Sequence, residues 1–484
     1  MSSAPLLGAR EHSSECGEVK RGSPAWLRLL IDTEEAWAQL QFALPMVLTN
    51  MSYYAIPLVS VMFSGHLGNV HLAGATLGNS WATVTGYAFV TGMSGAMETL
   101  CGQAYGARMY RLLGLYLQSS LIMSAMVSVL ISVVWLFTEP ILLSLHQEPE
   151  VSHAATVFIR YQIPGLFAYS FLQCLLRYLQ TQSIVVPLVV CSMVPFALHI
   201  ALNYLLVNVV GLGLTGASLA ISATFWVSCL MLLAYVMWST EFDETWKGFS
   251  TDALNYLLPT IKLAMPSAIM VCGRSLEYWA IELLVLLAGL LPNSTVSTSL
   301  IAICASTQAV SYMITYGFSA AVSTRVSNEV GAGNVDRAKN AVTVTMKLSV
   351  FLALSFILLL IIGHGLWASL FTGSAMIAAK FAAITPLLMI SIVLDSTQGV
   401  LSGVARGCGW QHLAATTNLV AYYLAGMPVA ILLAFKLNLY THGLWLGLIT
   451  GLACQTSVMV IITLRTKWSK LVDAMVKNRD DYVA

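Results

Sequence analysis

Apolar runs about 20 residues long recur along the whole chain, and each is long enough to cross a hydrocarbon core as a helix. They lie near 36–64, 70–95, 113–137, 152–180, 183–208, 213–239, 257–290, 297–322, 340–365, 376–404, 411–434 and 440–464. Short polar breaks separate them. Because backbone polar groups must be satisfied inside lipid, such runs read as helices. The pattern predicts an all-α membrane protein with twelve transmembrane helices. The first 35 residues are polar and of mixed charge, without the short apolar core and cleavage site of a signal peptide. They are expected to form a cytosolic tail, with a short interfacial helix around Trp26 to Leu40, and the first apolar run inserts as a signal anchor.

Composition agrees with the pattern. The chain has 484 residues, 58% hydrophobic and 9% charged, against about 25% charged in a soluble domain. So few charges cannot cover a water-facing surface of this size. The net charge of +1 and the absence of a basic run give no reason to expect nucleic acid. Nine cysteines are scattered singly, mostly inside apolar runs (Cys174, Cys191, Cys229, Cys304 and Cys454), with no CxxC spacing. They read as small apolar packing residues.

Lysine and arginine set the expected orientation. With the N-terminus in the cytosol, the inside segments hold Arg10, Lys20, Arg21, Arg28, Arg108, Arg111, Arg177, Lys247, Arg325, Arg337, Lys339, Arg406, Arg465, Lys467, Lys470, Lys477 and Arg479. The outside loops hold Lys436, with Glu139, Glu148 and Glu150. The positive-inside rule then places both termini in the cytosol.

The chain also repeats itself. GMSGAMETLCGQAYGA (92–107) matches GFSAAVSTRVSNEVGA (317–332) at an offset of 225: Gly92, Ser94, Ala96, Thr99, Gly106 and Ala107 recur as Gly317, Ser319, Ala321, Thr324, Gly331 and Ala332. FALP ending at Pro45 matches LAMP ending at Pro266 at an offset of 221. Six plus six spans in the same orientation imply two lobes related by a pseudo-two-fold axis along the membrane normal, facing each other across a cleft. The expected division is a tail (1–35), an N-lobe (36–240), a cytosolic linker (241–256), a C-lobe (257–465) and a C-terminal tail (466–484). Such an architecture suits alternating access around a site near the midplane. Plain duplication without a cleft is the blander reading. The offset is 224 by the pair Gly65 and Gly289, so three extra residues enter span seven, and Gly273-Arg274-Ser275 is the obvious place.

Most of the 22 acidic residues fall in tails and loops, and Glu98 lies near the cytosolic end of span two. Three acids lie deep: Glu277 and Glu282 on span seven, and Asp395 on span ten. Glu277 is roughly 20 Å from the outer end of its helix at 1.5 Å per residue. Burial raises a carboxyl pKa, so such a group can take a proton from one side and release it to the other. A structural ion pair with Arg274, one turn before Glu277, is the alternative. The first half offers Tyr53 and Leu58 opposite Glu277 and Glu282, and Gln173 opposite Asp395 at an offset of 222. Proton coupling is therefore expected in the C-lobe. Asn50, Tyr53 and Tyr54 on span one, Asn203 on span five, and Asn418 with Tyr422 on span eleven are candidates for a substrate cleft or for interhelical polar glue. Pro45 and Pro266 are candidate hinges. His199 reads as a hydrogen-bonded core residue. No GxxxxGK[ST] or HExxH motif is present, so neither an ATP-driven pump nor a zinc protease is supported, and no cofactor or metal is expected.

From about Asp32 to Lys467 the chain resembles plant members of the multidrug and toxic compound extrusion (MATE, or DETOXIFICATION) family. The resemblance rests on MFSGHLGNVHLAG (62–74), ETLCGQAYGA (98–107), QTQSIVVPLVV (180–190), LEYWAIELLVLLAGLLPN (276–293), STRVSNEVGAGN (323–334), LDSTQGVLSGVARGCGWQ (394–411) and NLVAYYLAG (418–426). It implies a proton-coupled antiporter that exports organic solutes from the cytosol, across the plasma or vacuolar membrane, working as a monomer. It also implies that Glu277, Glu282 and Asp395 form the proton site. One departure stands out: the family reads VCLEYW where this chain reads VCGRSLEYW. Three residues turn a helix by about 300°, which a bulge or an unwound turn would absorb. A sodium-coupled exchanger, a lipid flippase and a channel remain as alternatives. An intramembrane enzyme would need a nucleophile–base pair or metal cluster at depth, and the sequence offers neither.

Overall fold

The computed structural model describes residues 32–371, 374–469 and 471–473; for 272–282, 285–286 and 294–295 it describes the helix path alone. The described chain forms twelve rods in sequence order. The first is α1 (Thr33–Gly65). The second joins α2 (Asn69–Ala82) to α3 (Ala88–Gly106) through a π-helical turn, Thr83–Tyr87. The third is α4 (Tyr110–Leu136), followed by the short α5 (Thr138–Ser144). The fourth pairs α6 (Pro149–Arg160) with α7 (Ile163–Thr181). Then come α8 (Val186–Asn203) and α9 (Gly213–Trp238). The second half consists of α10 (Leu257–Ala288), α11 (Ser294–Gly331), α12 (Val335–Ser369), α13 (Ala375–Cys408), an eleventh rod of α14 (Gln411–Leu419) and α15 (Met427–Ile431) interleaved with π turns, and α16 (Tyr440–Arg465).

Ten of these rods are long and apolar enough to cross a membrane on length and composition. The other two, 69–106 and 149–181, are more polar. They carry Glu98 and Arg177, both almost fully buried, so their polarity is spent inside the protein rather than on lipid. Facing outward are side chains such as Leu359, Ile362, Leu424 and Leu464, all largely exposed, as expected of a surface whose solvent is hydrocarbon.

Each half closes around its own core. Trp135, Phe158, Tyr178 and Phe225 lie in the first, and Phe381, Leu388, Trp445 and Leu452 in the second. The halves then exchange helix starts. Ala36 and Ala43 of α1 pack with Val322, Val326 and Val404 of the second half. Reciprocally, Ala264 and Ala268 of α10 pack with Met93, Ala96 and Met123 of the first. The segment 241–256 is pinned to α4 and α7: Gln118 Nε2 donates to Gly248 O (2.8 Å), the Ser250 amide donates to Gln118 Oε1 (2.8 Å), and Tyr178 donates to Thr245 Oγ1 (2.7 Å).

The repeat in the sequence is also a repeat of contacts. A methyl built on Gly106 would fall on the carbonyl of Asn328, and one built on Gly331 would fall on the carbonyl of Gln103. Those four positions are related by the offset of 225. Likewise Gly92 lies against Ala268 and Val271 of α10, while Gly317 lies against Ala43 and Val47 of α1. Gln103 Nε2 donates to Gly407 O (3.1 Å), and Asn328 Nδ2 donates to Thr181 O (3.1 Å). Such mutual contacts are what a two-fold relation between halves requires. They gather at one end of the molecule, the proximal end. Asp32 lies there beside Asn340 (3.0 Å), and Val472 lies beside Gly333.

Pro45 and Pro266 lie inside helices that continue through them, close to these crossings. Span seven is a single α-helix through Gly273–Ser275. No bulge or unwound turn is present along the described path of that helix.

Candidate functional site

Asp395 lies midway along α13 and is buried, 3% exposed. Its surroundings are unusually polar for a membrane helix pair. Thr315 Oγ1 donates to Ser396 Oγ (3.2 Å), Ser349 donates to Ser396 O (3.3 Å), and Ser391 donates to Gln308 Oε1 (3.0 Å). A small cavity lies beside Ser396, lined in part by Ser311, Thr315 and Ser349. Glu277 and Glu282 ride on α10, but their side chains lie outside the described residues. Asn418, on the same half, accepts from Gln455 Nε2 and donates to Met270 O (3.5 Å), tying α14 to α16 and α10. Tyr422 is buried in the π turn Val420–Gly426, beside Leu284 and Leu448.

The neutral candidates of the first half occupy different surroundings. Asn50 Nδ2 donates to Met46 O of its own helix (2.7 Å). The Tyr53 hydroxyl sits 2.7 Å from Ser228 Oγ, between α1, α8 and α9. Tyr54 points away from the core and is 61% exposed. Asn203 is fully buried in a network in which its Nδ2 lies 2.8 Å from His199 Nε2 and Ser60 Oγ lies 3.1 Å from its Oδ1. His199 is buried as a core residue, its Nδ1 2.8 Å from Thr224 Oγ1. An Asn203→Leu variant strands these partners. It is expected to lower stability by about 1–3 kcal/mol, read as a fall in thermal midpoint, with transport per folded molecule unchanged. A transport defect in fully folded protein would contradict that assignment.

The most deeply buried charge cluster among the described residues lies elsewhere, on Glu98, Arg177 and Arg406. Glu98 of α3 has no exposed surface. Its Oε2 accepts from Arg406 Nε of α13 (2.8 Å) and from the Ser323 hydroxyl of α11. Arg177 Nη1 of α7 lies 2.9 Å from its Oε1. Arg177 in turn donates to Gln180 Oε1 (2.6 Å) and to the Tyr316 hydroxyl (2.9 Å). Arg406 Nη2 donates to Ser319 Oγ (2.9 Å). One signal in the sequence could have found this site. Glu98 and Ser323 are mates at the offset of 225, so the residue on one half and its repeat partner on the other meet at the axis. Arg177 and Arg406, which served as markers of the cytosolic side, lie instead inside the helix bundle.

Two six-helix lobes that meet at one end, with buried polar residues in each, define a multi-pass membrane transporter of the two-lobe type. The comparisons give its family. The family model described as MatE matches residues 45–205 and 266–432, two stretches that start at the repeated prolines. Protein DETOXIFICATION 18 of Arabidopsis thaliana is 51% identical over 466 residues, covering 96% of this chain and 98% of that protein. Protein DETOXIFICATION 16 of the same plant is 42% identical, covering 90% and 89%. The crystal structure of the eukaryotic MATE transporter AtDTX14 superposes with a TM-score of 0.85 at 35% identity, covering 92% of this chain and 99% of that one. The chain belongs to the MATE family of multidrug and toxin efflux transporters, and it is not an enzyme.

Proposed function

We propose that the chain is a proton-coupled antiporter that exports organic solutes from the cytosol by alternating access, with Asp395 as its principal proton acceptor and Glu277 and Glu282 as partners. The observation that carries this reading is the asymmetry of the lobes. The described deep carboxylate near the midplane sits on span ten, whereas the equivalent position on span four holds the neutral Gln173. A carboxyl at such a position can carry a proton or release it, and the balance changes with its hydration. Protonation from the acidic side removes a charge from the C-lobe, the lobe rearranges and the solute leaves. The difference in proton affinity between the two states supplies the drive.

The lysine and arginine distribution supports a cytosolic proximal end. On that reading the lobe contacts close the cytosolic side, as an outward-facing state requires, and both termini are cytosolic. The chain acts as a monomer on this reading, since a single chain supplies both lobes. Purified protein in proteoliposomes, screened against organic solutes, tests the function. An imposed proton gradient should accumulate a solute against its concentration, and a sodium gradient should not. Accumulation driven by sodium alone, or conductance without counter-transport, would overturn the proposal.

A further inference from the structure

We propose that Glu98, Arg177 and Arg406 form an ionic latch that holds the lobes shut at the proximal end, with Ser323 as an equivalent seat for the carboxylate on the opposite lobe. This rests on the alternating-access reading above, because a latch matters only if the lobes part there.

The geometry separates the three charges by lobe. Glu98 and Arg177 belong to the first half, and Arg406 belongs to the second. The pair between Glu98 and Arg406 at 2.8 Å therefore spans the interface, while the pair between Glu98 and Arg177 at 2.9 Å stays within one lobe. The cluster is ringed by the reciprocal glycine and amide contacts already described, and Thr99 donates to Arg406 O while accepting from Gln411 Nε2 (2.8 Å). Water is excluded while those contacts hold.

A buried ion pair contributes little net stability, because desolvation offsets much of the attraction; removing one partner is far more damaging than separating the pair into water. That asymmetry suits a reversible closure. When the lobes part, all three groups are hydrated and no charge is stranded. When Glu98 is neutralised, closure brings two guanidinium groups together in a dry site with no counter-charge. The closed state is then disfavoured relative to the open one. The latch is also fastened to the seam that carries Asp395. Ser319 receives Arg406 and donates to Gly399 O (2.6 Å), one turn beyond Ser396. Along α13, Asp395 and Arg406 are about 16 Å apart, so the two sites ride on one rigid helix.

The repeat supplies the test. Because Glu98 and Ser323 are repeat mates in hydrogen-bond contact, exchanging them moves the carboxylate across the axis with little change of position. Arg177 would then supply the inter-lobe pair, and Arg406 the pair within a lobe. Spin labels on Arg108→Cys and Asp336→Cys, exposed positions on opposite lobes beside the seal, report opening of full-length protein in nanodiscs, in a background freed of native cysteines. The native protein should give a dominant short distance. Glu98→Gln and Glu98→Ser should raise the ratio of long to short distances at least tenfold. The double variant Glu98→Ser with Ser323→Glu should return it to within about threefold of native. An unchanged distribution in Glu98→Gln would overturn the latch. So would a double variant that fails to close or to fold. The readout needs neither solute nor proton gradient, so it stands or falls separately from the antiport proposal.

Discussion

Asp395→Asn is expected to abolish proton-driven accumulation of solute while leaving solute exchange at equilibrium. The size of the effect follows from the drive. One pH unit across the membrane is worth about 1.4 kcal/mol per proton, which supports about tenfold accumulation for each proton exchanged. An amide takes up nearly the same space as the carboxyl and keeps an acceptor oxygen for its neighbours, but it cannot carry the proton. Vesicles with the variant should therefore equilibrate solute at a ratio near one where native vesicles reach about ten. Counterflow of labelled against unlabelled solute should continue, because it needs the lobes to rock but needs no net proton movement. Accumulation to the native ratio would remove Asp395 from the mechanism and leave Glu277 and Glu282 to carry it.

The second large effect is expected at Gly106 and Gly331. Each position lies where the backbone of one lobe touches the backbone of the other, on Asn328 and Gln103 respectively. No rotamer change relieves a clash with a carbonyl. Forcing side chains into well-packed sites costs about 1–3 kcal/mol even where flexible neighbours give way. Here the cost falls on the seal between lobes and not on either lobe core. Gly106→Val and Gly331→Val should therefore act alike: transport falls at least tenfold, and the label distances at the proximal end shift to the open form. Gly363→Ala, on α12 with no neighbouring atom within 4 Å of the added carbon, should leave both unchanged. Opposite behaviour of the two seal variants would contradict the reciprocal contact.

The fold was largely legible, for a physical reason. Lipid forces each crossing to be a long apolar helix, so the twelve runs located the rods, and the repeat offsets located the two-fold relation. The prolines that gave the offset of 221 begin both stretches matched by the family model. The π turns at Thr83–Tyr87, Tyr204–Val209, Val420–Gly426 and Leu432–Lys436 were not legible. One extra residue per turn leaves hydropathy untouched. Asp395 was visible because depth alone marks an acid in a membrane helix. Glu98 lies close enough to the end of its span to read as accessible to water, whereas the opposite lobe seals it. Burial across an interface is not a property of one helix, and only pairing Glu98 with Ser323 through the repeat would have pointed to it. Asn50 and Tyr53 were open between cleft contact and interhelical glue, and sequence could not name their partners, which are the backbone of Met46 and the Ser228 hydroxyl.

The central claim is that solute and protons move in opposite directions through a coupling site in the C-lobe. Imposing a solute gradient on proteoliposomes with no initial pH difference, and following lumenal pH with a trapped dye, tests it most directly. Solute entering the lumen should drive protons out and make the lumen alkaline, and Asp395→Asn should show solute entry with no pH change. Solute entry into native vesicles at constant lumenal pH would contradict the account.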